Sequence, residues 1–168
     1  MLDLFAKSIL RVEEYLSTHQ LWLLAIVAAL FLISVFIGRE NNKKLLVLYI
    51  LVILYLTLLN RNTGKKQINL RLFWSYRFLL NNDYLRREIL NNVLLFIPLG
   101  ATLSQIRPVW STALLPVLIS FGVEFLQFVT AHGLFEIDDI ISNSLGGLIG
   151  FAAGMLWIFC KQKIVIRS

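Results

Sequence analysis

The sequence predicts an all-α fold: a polytopic membrane helical bundle of about five transmembrane helices, preceded by an N-terminal amphipathic helix. Three observations lead there. Of the 168 residues 58% are hydrophobic, with a mean hydropathy of +0.74, well above the roughly 45–50% apolar content of an average soluble domain. Charged residues are only 15%, and they gather between apolar runs that approach or reach the roughly 18 residues of a membrane-crossing helix. Helices of that length leave no room for a separate water-soluble catalytic domain. Disorder, coiled coil, collagen and a soluble two-domain enzyme are excluded, and any chemistry belongs in the membrane or at its surface.

Residues 1–20 carry Leu2, Phe5, Ile9, Val12 and Leu16 at helical spacing, with Lys7, Arg11, Glu13 and Glu14 mostly elsewhere on the wheel. That pattern suits an amphipathic helix lying on the bilayer. No cleavable signal peptide is expected, because no small-x-small site follows the first apolar run. Two N-terminal transmembrane helices fall within 21–60: residues 21–37, closed by Gly38 and a polar stretch from Arg39 to Lys44, and the shorter 45–59, which Lys43 and Lys44 lengthen by snorkelling. A basic, aromatic surface connection spans 61–87, holding Arg61, Lys65, Lys66, Arg71, Arg77, Arg86 and Arg87 among Phe73, Trp74, Tyr76, Phe78 and Tyr84. Such amphipathic rings favour the headgroup region.

A three-helix core occupies 88–160. Its first span, 89–106, contains Pro98, which removes a backbone donor and is expected to bend or interrupt the helix. Arg107-Pro108 make a turn, 109–131 forms the next span with Pro116 in its first half, and the last runs over 138–160 before the basic tail 161–168. The lone Cys160 rules out an intrachain disulfide and a Cys-based metal site. The net charge of +6 is first a topology and anionic-lipid signal, and no nucleic-acid partner is expected.

Antiparallel connectivity places the start of span three, the end of span four and the start of span five on one side of the membrane. Glu88 and Asn92 are four apart on span three. Ser120, Glu124 and Gln127 follow one face of span four, and Asp139 and Asn143 share a stripe on span five with Gly146, Gly150 and Gly154. Carboxylates and amides inside spans are costly and mark a candidate polar pocket, of which Glu124 is the sharpest member. Glu136 and Asp138 border it. Either Asp138 or Asp139 can equally cap the last helix, and Asn92, Gln127 and Asn143 can serve as interhelical hydrogen-bond glue. The glycines form a small-xxx-small face suited to close helix packing. No cofactor is expected. A divalent cation held by Glu124, Asp138 and Asp139 is conceivable, but the spacing supports it weakly.

Glu88-x-x-x-Asn92-x-x-x-Phe96-x-Pro98-x-Gly100, then Glu124-x-x-Gln127, then Asp139-x-x-x-Asn143-x-x-Gly146-Gly147 together resemble the VanZ-like family of small bacterial integral membrane proteins. The blocks arrive in the family's order, over residues 88–150. The family's namesake is associated with resistance to the lipoglycopeptide teicoplanin, so the resemblance implies a cell-envelope role and a multi-pass protein of the bacterial cytoplasmic membrane. There are departures. Glu136 stands where the family often has an acidic residue, Ala131-His132-Gly133 where an Arg is common, and Asn69-Leu70-Arg71-Leu72-Phe73 resembles a family segment but lacks its Pro. The first span is extra relative to the namesake.

A plain count of Lys and Arg favours an inward-facing pocket, yet the compact clusters Arg39, Lys43, Lys44 and the 161–168 tail lie on the opposite side. Those clusters and the resemblance together place the pocket outside. Three functions stay open on the sequence. One is an envelope factor whose pocket binds a lipid-linked cell-wall intermediate or alters access of a lipoglycopeptide to the membrane surface, with membrane lipids and their anionic headgroups as partners. Another is a membrane enzyme acting on a lipid or lipid-phosphate, with Glu124 as acid or base. The third is an assembly subunit, for which an oligomer is conceivable.

Overall fold

The computed structural model describes residues 18–59, 67–78 and 81–167. The amphipathic helix expected over 1–20 therefore lies, except for its last three residues, outside the described residues. The described chain forms five α-helices: α1 (Thr18–Phe36), α2 (Arg39–Leu54), α3 (Asp83–Ile106), α4 (Leu115–Thr130) and α5 (Ile137–Arg167). A π-helical turn, Tyr55–Leu59, prolongs α2, and a 3-10 turn, Trp110–Leu114, precedes α4. Four helical stretches are long and apolar enough to cross a membrane: Arg39–Leu58, Asp83–Ile106, Trp110–Thr130 and Ile137–Lys163; α1 adds the shorter apolar stretch Leu24–Phe36. Large apolar side chains such as Leu51, Leu118, Phe125 and Leu156 stay exposed, as a lipid-facing exterior requires.

The helices outrun the apolar segments that announce them, because hydropathy marks the lipid boundary and not the end of the hydrogen-bonded helix. α2 begins at Arg39, six residues before its apolar run, and α5 continues to Arg167 through what reads as a basic tail. α3 starts early because the Asn82 side chain caps it, accepting from the N–H groups of Tyr84 at 3.0 Å and Leu85 at 3.2 Å. Pro98 does not interrupt α3, which runs unbroken from Asp83 to Ile106; a proline inside a span is tolerated where neighbouring helices and hydroxyl side chains cover the freed backbone. Pro116 falls at the first turn of α4, after the 3-10 turn, where its missing N–H costs nothing. Ala131, in the left-handed conformation at φ 56°, ends that helix.

The most extensive packing is between α3 and α5, and it is backbone against backbone. A Cβ at Gly146 would collide with the Val93 carbonyl oxygen, one at Gly150 with that of Ile97, one at Gly154 with Ser104 Oγ, and one at Gly100 with the Gly147 carbonyl. Gly147 is pressed in turn against the Pro116 ring, which brings α4 onto the same seam. Around it Ile53, Phe96, Leu99 and Phe151 are completely buried, with Tyr49, Leu103, Ala113 and Val123 completing the core.

The α1–α2 corner is closed by Asn42, fully buried, whose Nδ2 donates to the carbonyls of Ser34 at 2.9 Å and Ile37 at 3.2 Å. These carbonyls end α1 and have few other donors within reach in lipid. Asn42→Ala is expected to lower stability, by about 1 kcal/mol since Asn42 Oδ1 is itself unpartnered among the described residues. Thermal unfolding in detergent measures it. An unchanged midpoint would mean that other donors replace the amide.

Candidate functional site

At the end of the bundle where α3 and α5 begin, the connection folds back onto the protein. Its residues Ile68–Asn69 form β1, which pairs in parallel with β2, Phe135–Glu136, immediately before α5. Asn69 faces Glu136 across this pair and donates from Nδ2 to Glu136 Oε1 at 3.2 Å. Asp138, in the first turn of α5 and 1% exposed, then clasps the following turn. Its Oδ1 accepts from the Phe73 N–H at 2.7 Å, and its Oδ2 accepts from the Ser75 N–H at 3.0 Å and the Ser75 hydroxyl at 2.6 Å. Phe73 takes a left-handed φ of 57°, a conformation that costs an aromatic residue on the order of 1 kcal/mol and persists only where the surroundings hold it. Here the carboxylate holds it, with charge-assisted bonds stronger than neutral ones.

A second tie runs one helical turn further on. The Ser142 hydroxyl donates to the Asp138 carbonyl at 2.8 Å and lies 2.7 Å from the Tyr76 hydroxyl, so the tyrosine is the donor of that pair. Burial raises the Tyr76 phenol above its ordinary value, opposed by the Ser142 hydrogen bond and reinforced by the Asp138 and Asp139 carboxylates. The phenol thus keeps its proton at neutral pH and remains available as the donor.

Behind the clasp lies a set of buried polar side chains. Glu124 is 2% exposed and accepts from the Glu136 N–H at 3.1 Å, tying α4 to β2. Gln127, equally buried, donates from Nε2 to the Thr57 carbonyl at 3.0 Å. That docks α4 on the π-helical turn, a helix irregularity often found at functional sites. Asp139, Asn143 and Ser120 are buried as well. Ser120 Oγ, Gln127 Oε1, Asn143 Oδ1 and Asn92 Nδ2 find no hydrogen-bond partner among the described residues. Unpartnered buried polar atoms cost free energy and are uncommon in folded proteins.

The structure joins Glu136 and, through the clasp, Asp138 to the connection, ties Glu124 to the Glu136 backbone, and docks Gln127 on the π-helical turn that prolongs α2. Glu88 and Asn92 line a different cleft, of about 320 Å³, with Tyr84, Arg87 and Asn91. The cleft beside the β pair, of about 430 Å³, is lined by Gln67, Asn69, Arg71, Trp74 and Glu136 among others. A neighbouring cleft of similar size shares Arg71 and Trp74 and adds Leu72, Arg77 and Phe78. Among the described residues no group of three or more His, Cys, Asp or Glu is placed to hold a metal ion, so the cation option at Glu124, Asp138 and Asp139 gains no support. Sequence reasoning did not single out Ser75 or Ser142, and it named Asn69 only within the family-like segment 69–73 and Tyr76 only as an interfacial ring. For Ser142 a signal was present, since it stands four residues from Asp138 on the same helix face.

A bundle of long apolar helices with buried carboxylates and amides at one end, where the connection is clasped to the last helix, defines the class: a small membrane protein with a cluster of buried polar side chains at one end of its bundle. The chain belongs to the VanZ/LLP1 family, which it matches over residues 46–160. It is 30% identical over 125 residues to Protein VanZ of Enterococcus faecium, a similarity that covers 67% of this chain and 73% of that protein. No solved structure matches it. The family match includes the clasp and every buried polar residue behind it, and it leaves α1 outside.

Proposed function

We propose that this protein is a factor of the bacterial cell envelope that binds the anionic headgroup of a lipid-linked cell-wall component, and that it thereby lowers susceptibility to teicoplanin-type lipoglycopeptides. The observation that carries this reading is a pair of neighbouring clefts on the connection. Arg71 and Trp74 are common to both, Arg77 lines one, and Glu136 and Asn69 line the other, beside the β pair. Guanidinium groups bind phosphate through paired N–H donors. The carboxylate and amide beside them suit the hydroxyl or amide groups of a glycosylated headgroup, and the indole suits the membrane interface. On this reading the clasp end faces outward, while Arg39, Lys43, Lys44 and the C-terminal lysines face the cytoplasm.

The test is expression in a susceptible bacterium, with teicoplanin susceptibility and membrane abundance measured together. The double variant Arg71→Gln, Arg77→Gln is expected to lose protection at normal abundance and to lose binding of a polyprenyl pyrophosphate in detergent. Glu124→Gln and Asp139→Asn are each expected to abolish protection while the protein still accumulates, because the amides keep size but remove charge. If both amide variants protect fully, the carboxylates are structural. If wild-type protein gives no protection and binds no polyprenyl pyrophosphate, the proposal fails. Mass spectrometry of the recovered lipid separates binding from chemistry, since an enzyme acting on it would return an altered molecule.

A further inference from the structure

The other end of the bundle carries a second site, remote from the clasp: Gln105 on α3 is 22 residues from Asp83, about 33 Å along the helix. Here Val35 at the end of α1, Pro108, and Trp157 and Ile158 on α5 line a groove of about 570 Å³, with Gln105, Lys161 and Gln162 as polar lining. That volume lies within the range of small-molecule sites, roughly 300–1,000 Å³. We infer that this groove holds one acyl chain of an anionic phospholipid, with the phosphate against Lys161.

Three features favour that occupant. Lys161 is 24 residues beyond Ile137, about 36 Å along α5, so its amine falls at headgroup level just past a hydrocarbon core about 30 Å thick. The charge is complementary. Arg107 and Lys161 form no ion pair among the described residues, while the cluster Arg39, Lys43 and Lys44 shares the single carboxylate of Glu40, which Lys43 holds at 2.7 Å, and Lys163 lies 4.5 Å over the Phe159 ring. The third feature is Trp157. Its ring packs edge-on against Phe36 at 5.1 Å, and its shielded indole N–H has no partner among the described residues. One turn inside Lys161, that donor lies at the depth of a phospholipid's ester carbonyls. Gln105 is already anchored, its Nε2 donating to the Gly154 carbonyl at 3.2 Å, so the groove wall is braced before any lipid arrives.

The experiment is native mass spectrometry of the detergent-solubilised protein exposed to equal amounts of phosphatidylglycerol and phosphatidylcholine. Wild-type protein is expected to retain phosphatidylglycerol preferentially. Lys161→Gln should reduce the preference about fivefold, the weight of one basic residue at an anionic surface. Lys163→Gln, whose amine is engaged elsewhere, should leave the preference intact, and Ile158→Trp, which fills the groove, should lower retention of both lipids. Lys161→Gln changes only an exposed side chain, so the test does not depend on the bulkier variant folding. Equal retention of the two lipids by wild-type protein would overturn the inference, as would equal effects of the two lysine variants. A lipid-independent dimer by light scattering that Ile158→Trp disrupts would assign the groove to a second copy instead.

Discussion

Gly150→Leu is expected to cut the amount of protein in membranes by roughly tenfold, whereas Gly122→Ala should leave it unchanged or slightly raised. Both are glycines inside helices, and propensity alone favours replacing either one, by roughly 0.5–1 kcal/mol. Their surroundings separate them. A Cβ at Gly150 collides with the backbone carbonyl of Ile97, while one at Gly122 meets nothing within 4 Å. A backbone atom cannot rotate away, so leucine at Gly150 forces α3 and α5 apart along the seam where Gly100, Gly146 and Gly154 also make contact. Overpacking of a rigid contact costs about 1–3 kcal/mol and more where nothing yields, and losses of this size change cellular abundance several-fold. In lipid the seam depends on close packing and has no water-driven hydrophobic effect to replace it. Immunoblotting of membrane fractions measures the result. Normal abundance of the Gly150 variant would show that the helices can separate cheaply, and the seam would lose its place as the fold's centre.

That seam was legible in the sequence because its signal is local: glycines four apart on one apolar helix. The all-helical class and the order of the helices were legible for the same reason, from the length and spacing of apolar runs. Helix ends were less so. Arg39 to Lys44 and Lys161 to Arg167 look like loop and tail by polarity, yet they are helical, because backbone hydrogen bonding continues past the lipid boundary. Pro98 reads as a bend or an interruption, and the helix continues through it; whether a span continues through proline depends on neighbours that no local pattern reveals. The clasp is the least legible feature. Its bonds join residues 63 to 67 positions apart, and β1 and β2 are two residues each, too short for any period-two pattern to register. Asp138 could be seen as a carboxylate at a helix start, with its own helix as the obvious acceptor of the charge. Only the fold reveals that the charge is spent on another segment.

Asp138→Ala is accordingly expected to release the connection without unfolding the bundle. The side chain supplies the acceptor for three hydrogen bonds from Phe73 and Ser75. Bonds to a charged group contribute about 1.5–3 kcal/mol each, and the donors left behind would be buried and unpaired. Those terms do not add simply among neighbours, but they exceed what the two-residue β pair and the Tyr76–Ser142 contact can offset, and the strained Phe73 backbone favours release. The core of α3, α4 and α5 uses none of these groups, so helix content and abundance should stay near wild type. Hydrogen exchange at the Phe73 and Ser75 amides should accelerate by at least roughly a hundredfold, the equivalent of about 2.8 kcal/mol. Ser75→Ala, which removes only the hydroxyl bond, should fall between. Asp138→Asn should resemble the alanine variant more than wild type, because an amide has one acceptor oxygen and turns a second donor toward groups that already donate. On the proposed function, protection against teicoplanin falls in the same order, since the cleft that joins Arg71 and Trp74 to Leu134 and Glu136 exists only while the connection is docked. Exchange at Phe73 and Ser75 as slow in Asp138→Ala as in wild type would show that the clasp is held by something other than this carboxylate.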